Sequence, residues 1–425
     1  MELELATDRS LVRAAGHSTR FLQVRMRAPL SAQASARQPV DLALVLDRSG
    51  SMGGDKWPCA RAAAEESLTR LEARDQAALV VYDHQVDTLL PLSPATLATR
   101  HQVHQALAQI RPRGNTNLSG GWLTGCGLIG TASADDRLRR CFLLTDGLAN
   151  AGITDPQELT QHARELRKRG VVTHTFGVGE DFDEALLGPL ADAGGGHFQF
   201  LRDAKEIGPL LARELGDALE VVCPDLRVWV RWQAALQVEP LSPWSHEATA
   251  GALCVWAGDL VSGQEQELLF ALRFPQGTPE ASCPVQVQVT DAQGQILASG
   301  AISWTWAEQD ANDCQPRDRA VDRRVAQFHA NRARQEASQA NRRGDLKQAR
   351  EQLRQVAKRI LGYAGEDPEL LGLANTLVQE AEQHREQLSA VETKARYFAA
   401  SSMMKGRSAT GERRRQRDPN DTNGS

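Results

Sequence analysis

Oxygen-bearing side chains are concentrated in three short segments of this 425-residue chain. Asp47, Ser49 and Ser51 alternate in the first segment, Asp-Arg-Ser-Gly-Ser, so an extended turn would place all three on one side. Thr116 lies in Gly-Asn-Thr-Asn-Leu, and Asp146 lies in Leu-Leu-Thr-Asp-Gly. Together they offer two carboxylates and three hydroxyls without sulfur or imidazole. Such a donor set is suited to a hard cation, Mg²⁺ or Mn²⁺.

The charge of this donor set predicts what else the site would bind. Hydroxyl ligands are neutral, so the two carboxylates at most balance a divalent ion, and a six-coordinate ion would keep water at an open position. A carboxylate of a partner could replace that water, and the start of the helix after Ser51 would favour an anion there. For the Asp47 loop alone, a serine that caps a helix after a strand is an alternative. Thr116 and Asp146, in matching contexts, favour the metal site.

The segments around these residues predict the elements that position them. Strands are predicted at 41–46 and 140–145, because 41–46 and Phe142-Leu-Leu are short apolar runs, typical of strands covered on both faces. Further strands are predicted at 77–82, 86–90, 171–178 and 197–201, and helices at 56–71, 95–110, 118–132, 156–169, 184–193 and 204–219. This alternation predicts an α/β domain over residues 38–220, with a doubly wound, mostly parallel sheet. Ligands of such sheets bind beyond the carboxyl ends of the strands, where the three segments fall.

The segments on either side of the predicted α/β domain have different patterns of apolar and polar residues. Residues 221–308 alternate apolar and polar positions, as at Val285, Val287 and Val289, which predicts a small β-sandwich. Residues 1–37 are expected to add a strand to it, so that the α/β domain is inserted in the sandwich. Residues 312–404 predict an α-helical region that ends in one long helix from Pro368 to about Ser401. The polar residues 405–425 are expected to be disordered.

Composition excludes several classes of function. The formal net charge of −5 argues against nucleic acid as the main ligand. Seven widely spaced cysteines indicate neither a disulfide framework nor a zinc site. The acidic start lacks the pattern of a signal peptide, and no apolar stretch approaches the ~20 residues of a membrane span. We therefore expect a cytoplasmic protein that does not cross a membrane.

The three segments resemble the von Willebrand factor A family and its metal-ion-dependent adhesion site. The resemblance covers residues 39–219. Asp47, Ser49 and Ser51 match the family's Asp-x-Ser-x-Ser loop, Thr116 matches its threonine loop, and Asp146 matches its second aspartate. What the resemblance implies is metal-dependent binding of a protein rather than catalysis.

The sequence after the third segment narrows the resemblance. Thr175-Phe-Gly-Val-Gly-Glu-Asp-Phe-Asp183 and Gly194-Gly-Gly-His-Phe198 resemble the branch found in calcium-activated chloride channel regulators, inter-α-inhibitor heavy chains and many bacterial proteins. In that branch a β-sandwich and a helical tail often accompany the domain. We therefore expect a protein-interaction module, not an enzyme, whose partner presents Asp or Glu. The alternative is a regulatory subunit of a chelatase-type ATPase or of a kinase–phosphatase signalling complex.

Other motifs are interpreted structurally. The string Gly125-x-Gly-x-x-Gly130 lies inside a predicted helix, where it favours close packing over dinucleotide binding. Arg343-Gly-Asp345 is expected to be a turn between helices. His174 and His197 lie in strand contexts and are expected in the core. Gly-x-x-x-x-Gly-Lys-Ser/Thr, His-Glu-x-x-His and Gly-x-Ser-x-Gly do not occur, which disfavours the corresponding enzymes.

Overall fold

A computed structural model of the chain describes residues 1–30, 37–130, 137–233 and 235–415. These residues fall in two compact units. One unit is Ala32–Val222, and the other combines Met1–Ser31 with Cys223–Ser425. The five predicted site residues all lie in the first of them.

Strands and helices are numbered in chain order. The strands are β1 (Glu2–Thr7), β2 (Leu11–Arg13), β3 (Ser18–Arg27), β4 (Val40–Asp47), β5 (Gln76–Tyr82), β6 (Val86–Pro94), β7 (Leu138–Thr145), β8 (Val171–Val178), β9 (Gly195–Leu201), β10 (Val221–Trp232), β11 (Gln237–Pro240), β12 (His246–Thr249), β13 (Ala252–Val261), β14 (Glu265–Phe274), β15 (Ser282–Thr290) and β16 (Ile296–Ala307). The helices are α1 (Lys56–Arg70), α2 (Leu97–Ala108), α3 (Leu118–Gly130), α4 (Pro156–Lys168), α5 (Glu184–Ala193), α6 (Ile207–Leu219), α7 (Gln309–Cys314), α8 (Arg319–Arg342), α9 (Leu346–Ala364), α10 (Pro368–Gln383) and α11 (Ala390–Met404).

The α/β unit is built on a six-stranded sheet in the order β6-β5-β4-β7-β8-β9. Neighbouring strands from β5 to β9 run parallel, and only the edge strand β6 is antiparallel to its neighbour β5. All residues of the central strand β4 are buried, as its apolar sequence requires of a strand covered on both faces. The predicted α/β fold with a mostly parallel sheet is confirmed.

Helix α3 packs unusually close to this sheet. A Cβ atom built on Gly125 would lie 2.3 Å from Cγ2 of Val45, and one built on Gly121 would lie 2.4 Å from the Tyr82 ring. Only glycine permits this approach at Gly121 and Gly125, so close packing accounts for the first glycine of the Gly125-x-Gly-x-x-Gly130 string, whereas a Cβ on Gly127 would meet nothing within 4 Å. The last two residues of the predicted helix, 131 and 132, lie outside the described residues.

The second unit contains two further sheets, in the orders β1-β3-β14-β11 and β12-β13-β10-β15-β16-β2. Three strands precede residue 37, where we expected one. Strand β3 pairs antiparallel with β14 along its whole length, and β2 pairs in parallel with the end of β16. The rings of Phe274 in β14 and Trp304 in β16, whose centroids are 5.4 Å apart, connect the two sheets.

The helical region of this unit differs from the prediction in one place. Residues 368–404 form two helices, α10 and α11, instead of one long helix. Ser389 and Glu392 form a reciprocal capping box that starts α11, and Asn341 accepts a hydrogen bond from the Leu388 backbone N–H across 2.9 Å. The break is therefore fixed both by a local cap and by a contact with α8.

The expectation of a disordered tail is wrong for residues 405–415. Arg407 and Arg413 form a β-bridge with each other, and Gln264 forms another with Arg415. Arg413 donates hydrogen bonds to the Asp259 carbonyl (3.0 Å) and to the Gln264 side chain (2.6 Å). The arginine-rich segment thus binds backbone and side-chain acceptors. The prediction of a solvated tail did not take these acceptors into account. Residues 416–425 lie outside the described part of the chain.

Candidate functional site

The predicted site residues meet at one edge of the α/β sheet, which we call the carboxyl edge. Asp47 is the last residue of β4, and Asp146 directly follows β7, its parallel neighbour. Thr116 lies between α2 and α3. Because parallel strands end at a common edge, their loops converge there, as expected of a binding site in a fold of this type.

Asp47 is completely buried at this edge. One carboxylate oxygen accepts the Ser49 backbone N–H at 2.7 Å, and the other accepts the Thr145 hydroxyl at 2.7 Å. Burial raises the pKa of Asp47 to about 6, although the hydrogen bonds from Thr145 and Ser49 lower it. The neighbouring Asp146 adds to the rise. The structure thus orients this carboxyl group firmly while leaving its charge without an ion-pair partner among the described residues.

A chain of hydroxyl groups links the loop to the second aspartate. The Ser49 and Ser51 Oγ atoms are 3.1 Å apart, and Ser51 Oγ donates to Asp146 Oδ1 at 2.6 Å. A Cβ atom built on Gly147 would lie 3.4 Å from Thr116 Oγ1 and 3.6 Å from Ser51 Oγ. The five side chains singled out by the sequence therefore form one cluster of oxygen atoms.

Backbone hydrogen bonds hold the Thr116 segment against the Asp47 loop. Gly50 donates its N–H to the Gly114 carbonyl at 3.2 Å, and Arg113 donates its N–H to the Arg48 carbonyl at 2.8 Å. On the other side, the Thr116 N–H donates to Asn150 Oδ1 at 2.8 Å. Asn150 follows Asp146 in the same loop, so all three oxygen-bearing segments are cross-linked by hydrogen bonds.

Sequence reasoning missed Lys56, the first residue of α1. Its Nζ lies 2.5 Å from Asp146 Oδ2 and forms an ion pair with it. The Lys56 side chain is 26% exposed, whereas that of Asp146 is fully buried. The position of Lys56 in the sequence does not indicate this ion pair, because a lysine at the start of a helix is ordinarily exposed to solvent.

Sequence reasoning also missed Arg48, which lies between the ligand-type residues of the loop. Arg48 is buried, and its Nε donates to Asp83 Oδ2 at 2.9 Å, an oxygen that also accepts from Arg113 Nε at 2.9 Å. Burial alone would raise the pKa of Asp83, but hydrogen bonds from Gln85 and Arg113 and the charge of Arg48 outweigh it and lower the pKa. The signal that could have been used is a charged Asp83 directly after the buried strand β5. This network joins the loop to the end of β5, on the opposite side of β4 from Asp146.

The chemistry of the cluster fits a hard divalent cation. It contains carboxylate and hydroxyl oxygens and lacks the thiolate or imidazole groups that select softer metals. Within the described ranges, no group of three or more His, Cys, Asp or Glu side chains could hold a metal ion. A cation at this edge would therefore depend on the hydroxyls of Ser49, Ser51 and Thr116 in addition to the two carboxylates.

The other motifs take structural roles. Gly344 has φ of +80° and ends α8, and Asp345 caps α9 by accepting the Gln348 N–H at 2.9 Å, so Arg343-Gly-Asp345 is the predicted turn. His174 and His197 are buried, with ring centroids 5.6 Å apart. No helix in the described part of the chain is long and apolar enough to cross a membrane.

A mostly parallel, helix-covered sheet with an Asp-x-Ser-x-Ser loop at its carboxyl edge defines the class of the unit. Residues 41–213 match the family model of the von Willebrand factor type A domain. The α/β unit therefore has the fold of a von Willebrand factor type A domain, and domains of this type commonly mediate protein–protein interaction.

Relatives support the same assignment. The chain is similar to the uncharacterized protein YfbK of Escherichia coli, with 26% identity over 47% of this chain and 35% of that protein. It is also similar to human inter-alpha-trypsin inhibitor heavy chain H4, with 30% identity over 37% of this chain and 18% of that protein. The chain thus spans only about a third, or less, of these two relatives.

One solved structure resembles most of the chain. The von Willebrand factor type A protein of Catenulispora acidiphila superimposes with a TM-score of 0.69 and 19% identity. The match covers 90% of this chain and 89% of that one. At this identity the likeness demonstrates a common fold and nothing about ligands.

Proposed function

We propose that the α/β unit is a protein-interaction module that uses Mg²⁺ or Mn²⁺ to bind an acidic group of a partner protein. Asp47, Ser49, Ser51, Thr116 and Asp146 would hold the metal directly or through water. The observation that carries this proposal is the connected Ser49–Ser51–Asp146 chain of oxygens beside the buried Asp47. The metal would supply an open coordination position with the charge to bind a carboxylate.

The electrostatics of Asp47 support a cation here. A carboxylate taken out of water is costly unless it is paired or neutralised. In the described residues the oxygens of Asp47 accept hydrogen bonds from Ser49 and the Thr145 hydroxyl, none of them cationic, and burial raises its pKa. A bound divalent ion would remove this cost by favouring the charged form.

The metal part of the proposal is tested by titrating the full chain with Mn²⁺ and measuring free Mn²⁺ by electron paramagnetic resonance. We expect saturable binding that Asp47→Asn abolishes. Glu66→Gln is the matched control, because Glu66 is an exposed carboxylate of the same unit, paired with Arg70 on the surface of α1. Equal binding by the wild type and Asp47→Asn would overturn the proposal.

The partner is tested by affinity capture from the native lysate. The tagged chain in Mg²⁺ should retain a protein that is lost in EDTA and lost again with Asp47→Asn. Substituting the acidic residues of the retained protein one at a time should identify one whose loss abolishes retention. A partner list that is the same in Mg²⁺, in EDTA and in the variant would contradict metal-dependent capture.

We further propose that the unit binds without catalysing a reaction. The hydroxyls of Ser49 and Ser51 are hydrogen-bonded to each other and to Asp146, and in this proposal Asp146 holds the metal and does not act as a general base for them. Purified chain should therefore not turn over phosphate or peptide esters in Mg²⁺. Turnover that disappears in Asp47→Asn would refute this part of the proposal.

A further inference from the structure

Lys56 is the one cationic side chain with an ion pair to the oxygen cluster among the described residues. Its Nζ contacts Asp146 Oδ2 at 2.5 Å. A Cβ atom built on Gly179, in the loop after β8, would lie only 3.7 Å from the same Nζ. The ammonium group thus lies over the carboxyl edge between the ends of β7 and β8, and its side chain is 26% exposed.

The position of Lys56 is unfavourable for the helix that it begins. The positive end of the helix dipole lies at the N-terminus, where a cation destabilises the helix. The first turn of α1 contains no acidic residue, and its N-cap Asp55 makes no side-chain capping hydrogen bond. Helix stability therefore does not account for this lysine, whereas its contact with Asp146 does.

We propose that Lys56 is a specificity-determining residue that weakens binding of the metal ion and strengthens binding of an acid to the metal-loaded site. The inference rests on the proposed metal-dependent function and names a second cationic contact for the same acidic group. Because the Lys56 side chain is partly exposed beside Asp146, its amine can reach a carboxylate that approaches the carboxyl edge from solvent.

The formal charges explain both effects. Asp47 and Asp146 contribute two negative charges, and Lys56 contributes one positive charge. A divalent ion would turn this net negative site into one with a single positive charge, which attracts an anion. Without Lys56 the loaded site would be formally neutral, and the empty site would attract a cation more strongly. Charges a few ångströms apart in a partly buried site change an equilibrium constant by about tenfold or more.

The first test compares Mn²⁺ binding by full-length wild type, Lys56→Met and Lys56→Arg. Methionine keeps an unbranched apolar side chain but removes the charge, whereas arginine keeps the charge. We expect the Mn²⁺ dissociation constant to fall by about tenfold in Lys56→Met and to stay near the wild-type value in Lys56→Arg. An unchanged or weaker affinity in Lys56→Met would overturn the inference.

The second test measures capture of an acid, with acetate as the probe. Acetate that replaces a water on bound Mn²⁺ lowers the water proton relaxation rate. Lys56→Met should need about tenfold more acetate than the wild type for the same decrease. Lys168→Met is the matched control, because it removes an exposed lysine charge of the same unit on α4 and should respond like the wild type. Equal acetate responses of the wild type and Lys56→Met would overturn the inference.

The outcomes separate this inference from the proposed function. If the wild type binds no Mn²⁺, the metal-dependent function fails and this inference fails with it. If the wild type and Lys56→Met bind Mn²⁺ with the same affinity, only the role of Lys56 fails. If Lys56→Met does not fold, Lys56→Gln, which keeps a hydrogen-bond donor for Asp146, gives the same two outcomes.

Discussion

Two buried aspartates at opposite edges of the α/β sheet, Asp47 and Asp75, are surrounded in opposite ways. At the carboxyl edge, Asp47 and Asp146 face hydroxyl groups and a single lysine. At the opposite edge, where β4 and β5 begin and which we call the amino edge, Asp75 and Asp41 face arginines. Asp83, which also follows a strand at the carboxyl edge, is paired with Arg48 and Arg113, so the difference lies between individual carboxylates and not between whole edges.

Asp75, at the amino edge, is fully paired. Arg37 donates to both oxygens of the fully buried Asp75, at 2.9 and 2.6 Å, and the backbone N–H groups of Val40 and Glu72 donate to it at 2.9 and 2.8 Å. Burial alone would raise the pKa of Asp75, but the hydrogen bonds and charge of Arg37 and these backbone donors outweigh it and hold the pKa below its usual value. Asp75 is thus charged and paired, and it fixes the starts of two strands.

Asp47, at the carboxyl edge, lacks such a partner among the described residues. Burial raises the pKa of Asp47 to about 6, because its donors are a hydroxyl and a backbone N–H instead of a cation. The fold pairs the buried Asp75 and Asp83 with arginines but leaves Asp47 without a cation among the described residues. This contrast separates a structural carboxylate from one that we propose for binding a metal.

The comparison is tested most strongly by matched asparagine substitutions. Asp75→Asn should lower the free energy of unfolding of the α/β unit by about 3 kcal/mol, because it leaves the mostly buried Arg37 without its main counter-ion. Asp47→Asn should cost far less in metal-free buffer, because it removes a buried charge that lacks a cation. Denaturant unfolding in EDTA measures both. Equal losses would contradict the distinction between the two aspartates.

Acid should reduce the effect of Asp75→Asn. The pKa of Asp75 in the folded chain is below its usual value, so its contribution is fully present above the usual pKa of an aspartate. The contribution is lost as the pH falls through the lowered pKa. The difference in unfolding free energy between wild type and Asp75→Asn should therefore be constant near neutral pH and shrink in strong acid, and a difference that grows in acid would refute it.

Magnesium should raise the free energy of unfolding only when the carboxyl edge retains Asp47. A ligand present at about 100 times its dissociation constant, and bound only by the folded state, stabilises a protein by about 2.7 kcal/mol. We expect a gain of this size for wild type and for Asp75→Asn, and none for Asp47→Asn, in unfolding curves with Mg²⁺ and with NaCl at the same ionic strength. A gain in Asp47→Asn would show that the ion binds elsewhere.

An exposed apolar side chain beside the carboxyl edge provides a test of where the partner protein binds. Leu148 follows the Asp146 loop and is 52% exposed, whereas Leu97, which is 79% exposed, begins α2 just after β6 ends at the amino edge. Leu148→Ala should weaken retention of the captured partner by roughly tenfold, consistent with about 1.4 kcal/mol for a partly buried apolar contact. Leu97→Ala is the control, and equal effects of the two variants would mean that the partner does not contact the carboxyl edge.

Much of this fold could be predicted because its signals are local. The apolar runs of β4 and β7 identify buried strands, and Asp47 and Asp146 follow those strands directly. The break between α10 and α11 was also readable, since Ser389 and Glu392 have the spacing of a capping box. It was missed because the apolar period continues on both sides of the break.

The charged side chains that contact the site could not be predicted from the sequence, because such contacts depend on the direction in which each side chain points from its helix, strand or loop. Lys56 and Arg48 are both close to the Asp47 loop in sequence, yet one contacts Asp146 and the other contacts Asp83 on the far side. Arg37 and Asp75 are separated by a strand and a helix, and only the paired starts of β4 and β5 bring them together. Charge pairing of this kind is tertiary information.

The smallest expected effect tests whether burial, and not charge alone, separates the carboxylates. Glu66 forms an ion pair with Arg70 at 2.8 Å, but the two side chains are 50% and 45% exposed. Glu66→Gln should change the free energy of unfolding by less than about 0.5 kcal/mol, because an exposed helix pair gains little over its hydration. The change should vanish in concentrated NaCl, whereas the loss in Asp75→Asn should persist, since salt screens exposed charges more than buried ones. A large, salt-resistant loss in Glu66→Gln would mean that ion pairs stabilise this unit wherever they lie, and the contrast between Asp47 and Asp75 would then say nothing about binding.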